Sequence, residues 1–341
     1  MRNFVMSALA LSLCSGSALA AAPSYVLTKS VPLGAPDGWD YVVFDPASHM
    51  VFIGHATEVT VVNGQSGAIE GHLLGLHGAH GTAVVPALKE AFADSGRSPA
   101  GVTAYDLGTY QAVPGVIATP EDTDAMLYDP ASNHVFTMNG DSGNTSVIDP
   151  QKRTLMTNIA LGGKPEYGAA DGRGHVYANL ADKGQLAVID SKTNTVTAHW
   201  MLPDCVSAHG LAVDATGRRT FSSCANGKLV VLNADTGAQV ATLPIGLGTD
   251  AAAYDPVRHV VFSANGSGTL SVIQQNSPDS YAPPIEVKTT RGARTMAVDP
   301  QTGRLFLVAA DYAEDPAIPA NDRGHFKVVP GTARLMFYDP R

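Results

Sequence analysis

Seven ionisable or imidazole side chains recur at one equivalent place in consecutive copies of a repeat of roughly forty residues. Each lies five residues before the turn position of its copy. They are Asp40, His80, Asp124, Glu166, His209, Asp250 and Arg294. Such a repeat constrains the fold strongly, because a unit of this size buries its apolar surface only by packing against its neighbours.

The repeat is marked by an apolar segment that ends at a turn. The turn aspartates are Asp45, Asp129, Asp171, Asp214, Asp255 and Asp299, so the successive steps are 84, 42, 43, 41 and 44 residues. The first step is double because it contains a degenerate copy, in which residues 83–86 replace the usual Asp-Pro turn. The sequence therefore predicts seven units.

Each unit contains four short apolar runs separated by Asp, Asn, Gly and Pro, for example residues 211–213, 220–223, 228–232 and 239–243. Such runs indicate strands, and the residues between them favour hairpins. Four antiparallel strands repeated seven times predict an all-β, seven-bladed β-propeller. Residues 25–31 resemble an outermost strand and residues 334–339 a third strand, so we expect the N- and C-terminal strands to pair and close the ring.

Residues 1–20 have the features of a cleaved signal peptide: Arg2, an apolar run over residues 4–13 and a small-x-small cleavage site at residues 18–20. We therefore expect a periplasmic or secreted protein in which residues 21–341 form a single propeller domain. No later segment has the apolar length of a membrane span.

Two cysteines follow the leader, Cys205 and Cys224. A hairpin that turns near residues 214–217 would bring them together, and an oxidising compartment favours a disulfide. The alternative is a thiolate metal ligand near His209.

The balance of charge restricts the partners. The whole chain has 31 acidic and 22 basic residues, a net charge of −9, and no basic run. Nucleic acids and anionic membranes are therefore unfavoured partners, because phosphate binding depends on clustered Lys and Arg. We expect a small polar ligand or a protein partner instead, and a monomer.

The first residue of each innermost strand lies at one mouth of the central channel, so the seven recurring side chains should face a shared space. A second set, at the ends of the following strands, should surround them: His55, Asp94, Asn139, Asn179, Asn226 and Asn265. Imidazole and carboxylate groups are ordinary ligands of divalent cations. The candidate metal ligands are His80, His209, Glu166, Asp124 and Asp250.

Two functions fit this mouth. One is binding or scaffolding, in which the acidic, histidine-lined mouth holds a small polar ligand, a metal ion or a protein partner. The other is a metal-dependent hydrolase or lyase, with Glu166, Asp250 and His209 as the catalytic candidates. A purely structural alternative is that the channel holds water and its polar mouth is simply solvated.

Residues 143–149, 184–193 and 227–237 resemble the YVTN repeats of exported bacterial YncE-like seven-bladed propellers. The resemblance covers nearly all of the mature chain and implies the propeller fold, which lactonases, lyases and scaffolds share. Metal-dependent lactonases of this shape hold a cation with Glu, Asn and Asp ligands, a set that Glu166, Asn179 and Asp250 would imitate. The departures from the repeat are the second unit and a long insert, residues 310–332, which we expect to overhang one face.

Overall fold

The computed structural model describes residues 22–319 and 325–341. No α-helix occurs in these two stretches, which fold as seven antiparallel sheets arranged as blades around a central channel. The described residues accordingly include no helix with the length and apolarity needed to cross a bilayer. The expected signal peptide lies outside the described residues. The predicted seven-bladed β-propeller is confirmed.

The first strand, β1 (Tyr25–Pro32), belongs to the last blade. Blade 1 contains β2 (Val42–Asp45), β3 (Met50–Asn63) and β4 (Ile69–Ala79). Blade 2 contains β5 (Thr82–Val85), β6 (Glu90–Ser95), β7 (Gly101–Asp106) and β8 (Ala112–Ala118). Blade 3 contains β9 (Thr123–Asp129), β10 (His134–Asn139), β11 (Asn144–Asp149) and β12 (Thr154–Ala160). Blade 4 contains β13 (Pro165–Ala170), β14 (His175–Leu180), β15 (Gln185–Asp190) and β16 (Thr195–Met201).

Blade 5 contains β17 (Ala208–Asp214), β18 (Arg219–Cys224), β19 (Lys228–Asn233) and β20 (Gln239–Pro244). Blade 6 contains β21 (Thr249–Asp255), β22 (Val260–Asn265), β23 (Thr269–Ser277), β24 (Ser280–Tyr281) and β25 (Ile285–Lys288). Blade 7 contains β26 (Met296–Val298) and β27 (Leu305–Ala309), then a separate hairpin of β28 (Tyr312–Glu314) and β29 (Phe326–Val328), and finally β30 (Arg334–Pro340).

The two ends of the chain close the ring. Strand β1 pairs antiparallel with β30, so that Tyr25 lies opposite Pro340 and Pro32 opposite Arg334. The order in this blade is β1-β30-β27-β26, with the N-terminal strand outermost and the C-terminal strand third. The predicted closure is therefore confirmed, and blade 7 depends on both ends of the chain.

Blade 1 differs from the others in having its two middle strands in one continuous run. Strand β3 pairs with β2 over residues 50–53 and with β4 over residues 58–62. Between these segments Ala56 has a φ of +56°, a conformation typical of a turn residue. The run Met50–Asn63 thus supplies both middle strands of a four-stranded blade.

One buried aromatic side chain per blade packs between neighbouring blades. All seven occupy the same place near the start of the second strand and are 0% exposed: Phe52, Phe92, Phe136, Tyr177, Phe221, Phe262 and Phe306. Burial of such a side chain stabilises a fold by about 1.5–3 kcal/mol. This layer fixes the contact between blades, and hence the positions of the innermost strands that reach the channel.

At the far end of the innermost strands, the turn aspartates cap the first hairpin of each blade. Asp129, for example, accepts hydrogen bonds from the backbone N of Ala131 and Ser132 at 3.1 Å and from Oγ of Ser132 at 2.8 Å. The turn ends at Asn133 in the left-handed region, with a φ of +59°. Short polar side chains tolerate that conformation, which accounts for the Asp-x-x-x-Asn spacing.

The predicted disulfide is confirmed: Cys205 and Cys224 are joined, with an S–S distance of 2.07 Å. The bridge connects the loop before β17 to the end of β18, so it lies at the mouth end of blade 5. Asn226 supports the same loop, because its Nδ2 donates to the carbonyl of Asp204 at 2.8 Å and its Oδ1 accepts from the backbone N of Val206 at 3.2 Å.

Candidate binding site at the channel mouth

The seven recurring side chains lie at equivalent starts of the innermost strands, and we call this set the hub ring: Asp40, His80, Asp124, Glu166, His209, Asp250 and Arg294. Two groups of contacts lie within it. Glu166, His209, Asp250 and Arg294 form one, and Asp40, His80 and Asp124 form the other.

Four members of the hub ring lie in irregularities of their strand ladders. In blade 3 the register moves from Thr137 opposite Met126 to Asn139 opposite Thr123, so Asp124 falls between two ladder pairs. Equivalent register shifts in blades 4, 5 and 6 flank Glu166, His209 and Asp250. A bulge releases a side chain from the strict alternation of a strand, and bulges are frequent beside functional sites. These bulges re-aim the hub-ring side chains.

His209 is the centre of the first group. Its Nδ1 lies 3.1 Å from Oδ1 of Asp250 and 3.5 Å from Oε2 of Glu166, and its Nε2 lies 3.0 Å from Oγ of Ser207. The other oxygen of Asp250 lies 3.0 Å from Nε of Arg294. The carboxylates of Asp250 and then Glu166 raise the pKa of His209 to about 9, so near neutral pH this side chain is an imidazolium.

His80 is held by a buried carboxylate in the second group. Oδ1 of Asp94 accepts from the backbone N of His80 and Gly81 at 2.9 and 2.8 Å, and Oδ2 lies 3.1 Å from Nδ1 of His80. The carbonyl oxygen of Thr123 is also 3.1 Å from that nitrogen. Because Nδ1 is engaged by these oxygens, Nε2 is the nitrogen left for a ligand or a proton. Gly96 permits this arrangement, since a Cβ there would lie 2.5 Å from Cε1 of His80.

Asp40, His80 and Asp124 each offer a ligand atom, and these atoms lie within 4.8 Å of one another. Burial raises the pKa of Asp40 to about 7, and burial with the neighbouring charge of Asp40 raises that of Asp124. Burial lowers the pKa of His80, but the hydrogen bond and charge of Asp94 outweigh it and raise this pKa to about 10. The group therefore retains protons near neutral pH, and a cation would have to displace them.

Two tyrosines lie beneath the hub ring, at the position directly after a ring residue. The residues at that position are Tyr41, Gly81, Ala125, Tyr167, Gly210, Ala251 and Thr295. The rings of Tyr41 and Tyr167 meet edge to face with centroids 5.1 Å apart, although they come from blades 1 and 4. Oη of Tyr41 donates to Oδ2 of Asp124 at 3.4 Å. Sequence reasoning missed this pair, which stands out as the two large residues among five small ones.

Two cavities open at the mouth. The larger has a volume of about 720 Å³, and its wall includes His209, Asp250 and Arg294 of the hub ring together with Arg291. Trp39 lies in the walls of both cavities. The smaller has a volume of about 300 Å³, and the ionisable residues in its wall are Asp37, Asp40, His80 and Arg97.

The insert of blade 7 forms a wall of the larger cavity, as its expected overhang implies. Tyr312 of β28 and Phe326 and Val328 of β29 line the cavity. The hairpin pairs Tyr312 with Val328 and Glu314 with Phe326. Sequence reasoning placed the insert over one face but did not identify its aromatic residues as part of the site.

The predicted second set of polar residues is buried within the blades, except for Asn226, which is exposed and bonds to the loop before β17. Asn179 Nδ2 donates to the carbonyls of His209 and Gly210 at 3.0 Å, so it supports the bulged backbone of the next blade. Asn139 bonds within blade 3, to Asn144 at 2.7 Å for example, and Asn265 bonds similarly within blade 6. Asn139, Asn179 and Asn265 are 0% exposed and satisfied by neighbouring groups, so they support the hub ring from behind and do not line the mouth cavities.

His55 is also fully buried, at the end of the first half of β3. Its Nδ1 lies 2.9 Å from Oγ1 of Thr60 and 3.7 Å from Oε1 of Glu58. His72 meets the same oxygen of Glu58 at 2.8 Å. His55 therefore belongs to a polar cluster within blade 1, and the contacts of its Nδ1 are outside the hub ring.

No family model and no curated protein matches this sequence. Among solved structures, a chain of Kuenenia stuttgartiensis hydrazine synthase is similar, with a TM-score of 0.69 and 13% sequence identity, over 79% of this chain and 92% of that chain. At this identity the likeness concerns the fold alone, and it agrees with the β-propeller architecture.

Proposed function

We propose that this protein is an exported binding propeller of the YncE-like group, and that its channel mouth holds a small polar ligand. One observation carries the proposal: the cavity of about 720 Å³ opens over the hub ring, and three ring residues form part of its wall. Ligand sites are concave, and cavities of about 300–1,000 Å³ suit small molecules. A protein partner that inserts a side chain or a chain end would use the same opening.

The hub ring suits recognition because both signs of charge are held at fixed places. His209 and Arg294 both contact Asp250, and the backbone that carries the imidazole is supported by Asn179. A preorganised array of side chains loses less conformational entropy on binding, and this loss is one of the main unfavourable contributions to the free energy of association. The disulfide beside it, Cys205–Cys224, agrees with an oxidising, exported location.

The test is a thermal-shift and calorimetric screen of the chain from residue 21 with small acids, amines, sugars and divalent cations. We expect at least one compound to bind the wild type and to bind His209→Gln about tenfold or more weakly, since a hydrogen bond to a charged group contributes roughly 1.5–3 kcal/mol. His175→Gln is the matched control, because His175 contacts the turn residue Asp171 at the far end of blade 4. Binding that survives the hub variant unchanged would contradict the proposal.

A metal-dependent hydrolase is the second candidate, and one observation favours it. Asp40, His80 and Asp124 converge within 4.8 Å, and Asp94 orients the imidazole as carboxylates do for metal-ligating histidines. A cation bound there would act as a Lewis acid.

Equilibrium dialysis against Zn²⁺, Mn²⁺ and Ca²⁺ at several pH values, with assays of lactone and ester hydrolysis, separates the candidates. The hydrolase requires one bound cation per chain, an affinity that rises with pH as protons leave the site, and loss of both binding and turnover in His80→Gln. His72→Gln is the control, because His72 contacts Glu58 in blade 1. Turnover that persists in His80→Gln, or that needs no cation, would exclude this candidate.

A further inference from the structure

We propose that the larger mouth cavity recognises a small organic carboxylate with a flat, apolar body. This inference rests on the proposed binding function and names the class of ligand. It is carried by the charges in the cavity wall, by the two guanidinium groups there and by the aromatic side chains around them.

The cavity wall has an excess of positive charge in an otherwise acidic chain. The positively charged side chains in the wall are Arg291, Arg294 and His209, and the only carboxylate among the lining residues is that of Asp250. Asp250 contacts both Arg294 and His209, and Glu166, which is not part of this wall, lies 3.5 Å from His209, so the three positive side chains of the wall outnumber these two carboxylates. The chain as a whole has 31 acidic and 22 basic residues. A concave site whose charge opposes that of the whole molecule concentrates ligands of the opposite sign, here anions.

Both guanidinium groups have donors to spare. Arg294 meets Asp250 through Nε at 3.0 Å, which leaves its terminal nitrogens for another acceptor, and its side chain is 53% exposed. The guanidinium carbon of Arg291 lies 3.9 Å from the centroid of the Phe326 ring. Among residues 22–319 and 325–341, no carboxylate lies within 4.0 Å of Arg291. Stacking on an aromatic face leaves the in-plane N–H groups of Arg free to bind a carboxylate in two-point fashion.

The apolar part of the ligand is inferred from Trp39, Tyr312 and Phe326, which line the same cavity. Tyr312 packs closely on the turn before β26: a Cβ at Gly292 would lie 2.4 Å from its Oη. The base of the insert is anchored as well, since Oδ1 of Asp311 lies 2.9 Å from a terminal nitrogen of Arg334. Aromatic walls favour flat partners through stacked and edge-to-face contacts.

Calorimetry with matched probes tests the ligand class on the chain from residue 21. The probes are 3-phenylpropionate, 3-phenylpropanol, 3-phenylpropylamine, cyclohexanepropionate and phenyl phosphate. We expect 3-phenylpropionate to bind at least about tenfold more tightly than the alcohol and the amine, because a charge-assisted contact is roughly twice as strong as a neutral one. We also expect it to bind more tightly than the cyclohexyl acid and phenyl phosphate.

Variants locate the binding. Arg291→Met and Arg294→Met should each weaken binding of 3-phenylpropionate by about tenfold or more. Arg97→Met is the matched control, because Arg97 lines the smaller cavity, and it should leave the affinity within about twofold, as an outer charge contributes little. Both target arginines are exposed, and unchanged melting temperatures of the variants would establish that folding is intact.

Equal or tighter binding of the amine or the alcohol, weakened by His209→Gln, would overturn the carboxylate assignment while leaving the proposed binding function intact. Tighter binding of phenyl phosphate would overturn it in the same way. If none of these probes binds and the wider screen also finds no ligand sensitive to His209→Gln, the binding function falls together with this inference.

Discussion

The innermost strands carry acidic residues at both ends, and the two ends use them differently. At the far end, Asp171 accepts from the backbone N of Arg173 and His175 at 2.8 and 3.1 Å and lies 2.7 Å from Nη1 of Arg218. At the mouth, no hydrogen bond from residues 22–319 or 325–341 reaches the carboxylate of Asp40. Burial raises the pKa of Asp171, but these donors outweigh it and lower that pKa, whereas burial raises the pKa of Asp40 to about 7.

The difference shows that the backbone decides which acids are available for binding. A hairpin turn presents several N–H groups to one side chain, and the charged form is then favoured. The start of the innermost strand at the mouth presents no such turn to Asp40. The far-end acids stabilise turns, whereas the mouth acids are stabilised by the histidines and the arginine of the hub ring.

The largest effect is expected from His209, whose pKa is raised from 6.5 to about 9. The folded state holds this proton more tightly than the unfolded chain, so the stabilisation is complete below about pH 6.5 and is lost as the pH rises through 9. It amounts to about 3 kcal/mol, because a tenfold difference in proton affinity between the two states corresponds to about 1.4 kcal/mol. Urea unfolding of the wild type and His209→Gln between pH 6 and 10 measures this stabilisation. If the unfolding free energy of both proteins depended on pH in the same way, the charge of His209 would not be coupled to those of Asp250 and Glu166.

Removal of a turn aspartate, at the far end of an innermost strand, should lower the free energy of unfolding throughout the neutral pH range. Asp129→Ala removes three hydrogen bonds from a side chain that is 0% exposed, at a cost of about 2 kcal/mol in unfolding free energy. Asp141→Ala is the control, since the Asp141 side chain is 75% exposed, and it should change stability by less than about 0.5 kcal/mol. Equal effects in urea unfolding would remove the distinction between capping and surface acids.

Removal of an acid of the hub ring should have the opposite effect and raise the free energy of unfolding as the pH rises. Because the pKa of Asp40 is raised from 3.8 to about 7, its favourable contribution is present below pH 3.8 and is lost as the pH rises through 7. Asp40→Asn should therefore gain stability relative to the wild type between pH 4 and pH 8, by about 1 kcal/mol once coupling to His80 is allowed for. The measurement is the unfolding free energy of both proteins at pH 4 and pH 8. If Asp40→Asn lost stability relative to the wild type at pH 8, the proposed difference between the two ends of the strands would be wrong.

The smallest effect is expected from Tyr41→Phe. The change removes one long hydrogen bond to Asp124, of 3.4 Å, and retains the ring that packs on Tyr167. We expect a loss of about 0.5–1 kcal/mol in unfolding free energy. Tyr41→Ala is the comparison, and it should cost about 3 kcal/mol or more because it also leaves a cavity. Similar losses in the two variants would mean that the hydroxyl, rather than the ring, supports the mouth.

The recurring spacing of Asp40, His209 and their equivalents was enough to predict seven blades and a polar hub, because strand length and blade period fix where each innermost strand begins. The buried aromatic near the start of every second strand is equally regular in the sequence, but its packing between blades follows only from the contact of neighbouring sheets. The bulges at Glu166 and its equivalents were not predictable, since they depend on ladder register rather than on composition. The same holds for Tyr41, whose contact with Tyr167 crosses the channel.

That contact has a consequence for transport of solutes through the molecule. The rings of Tyr41 and Tyr167, from blades 1 and 4, meet edge to face next to the hub ring, so side chains narrow the channel there. We therefore expect a solute bound at the hub ring to leave through the mouth by which it entered.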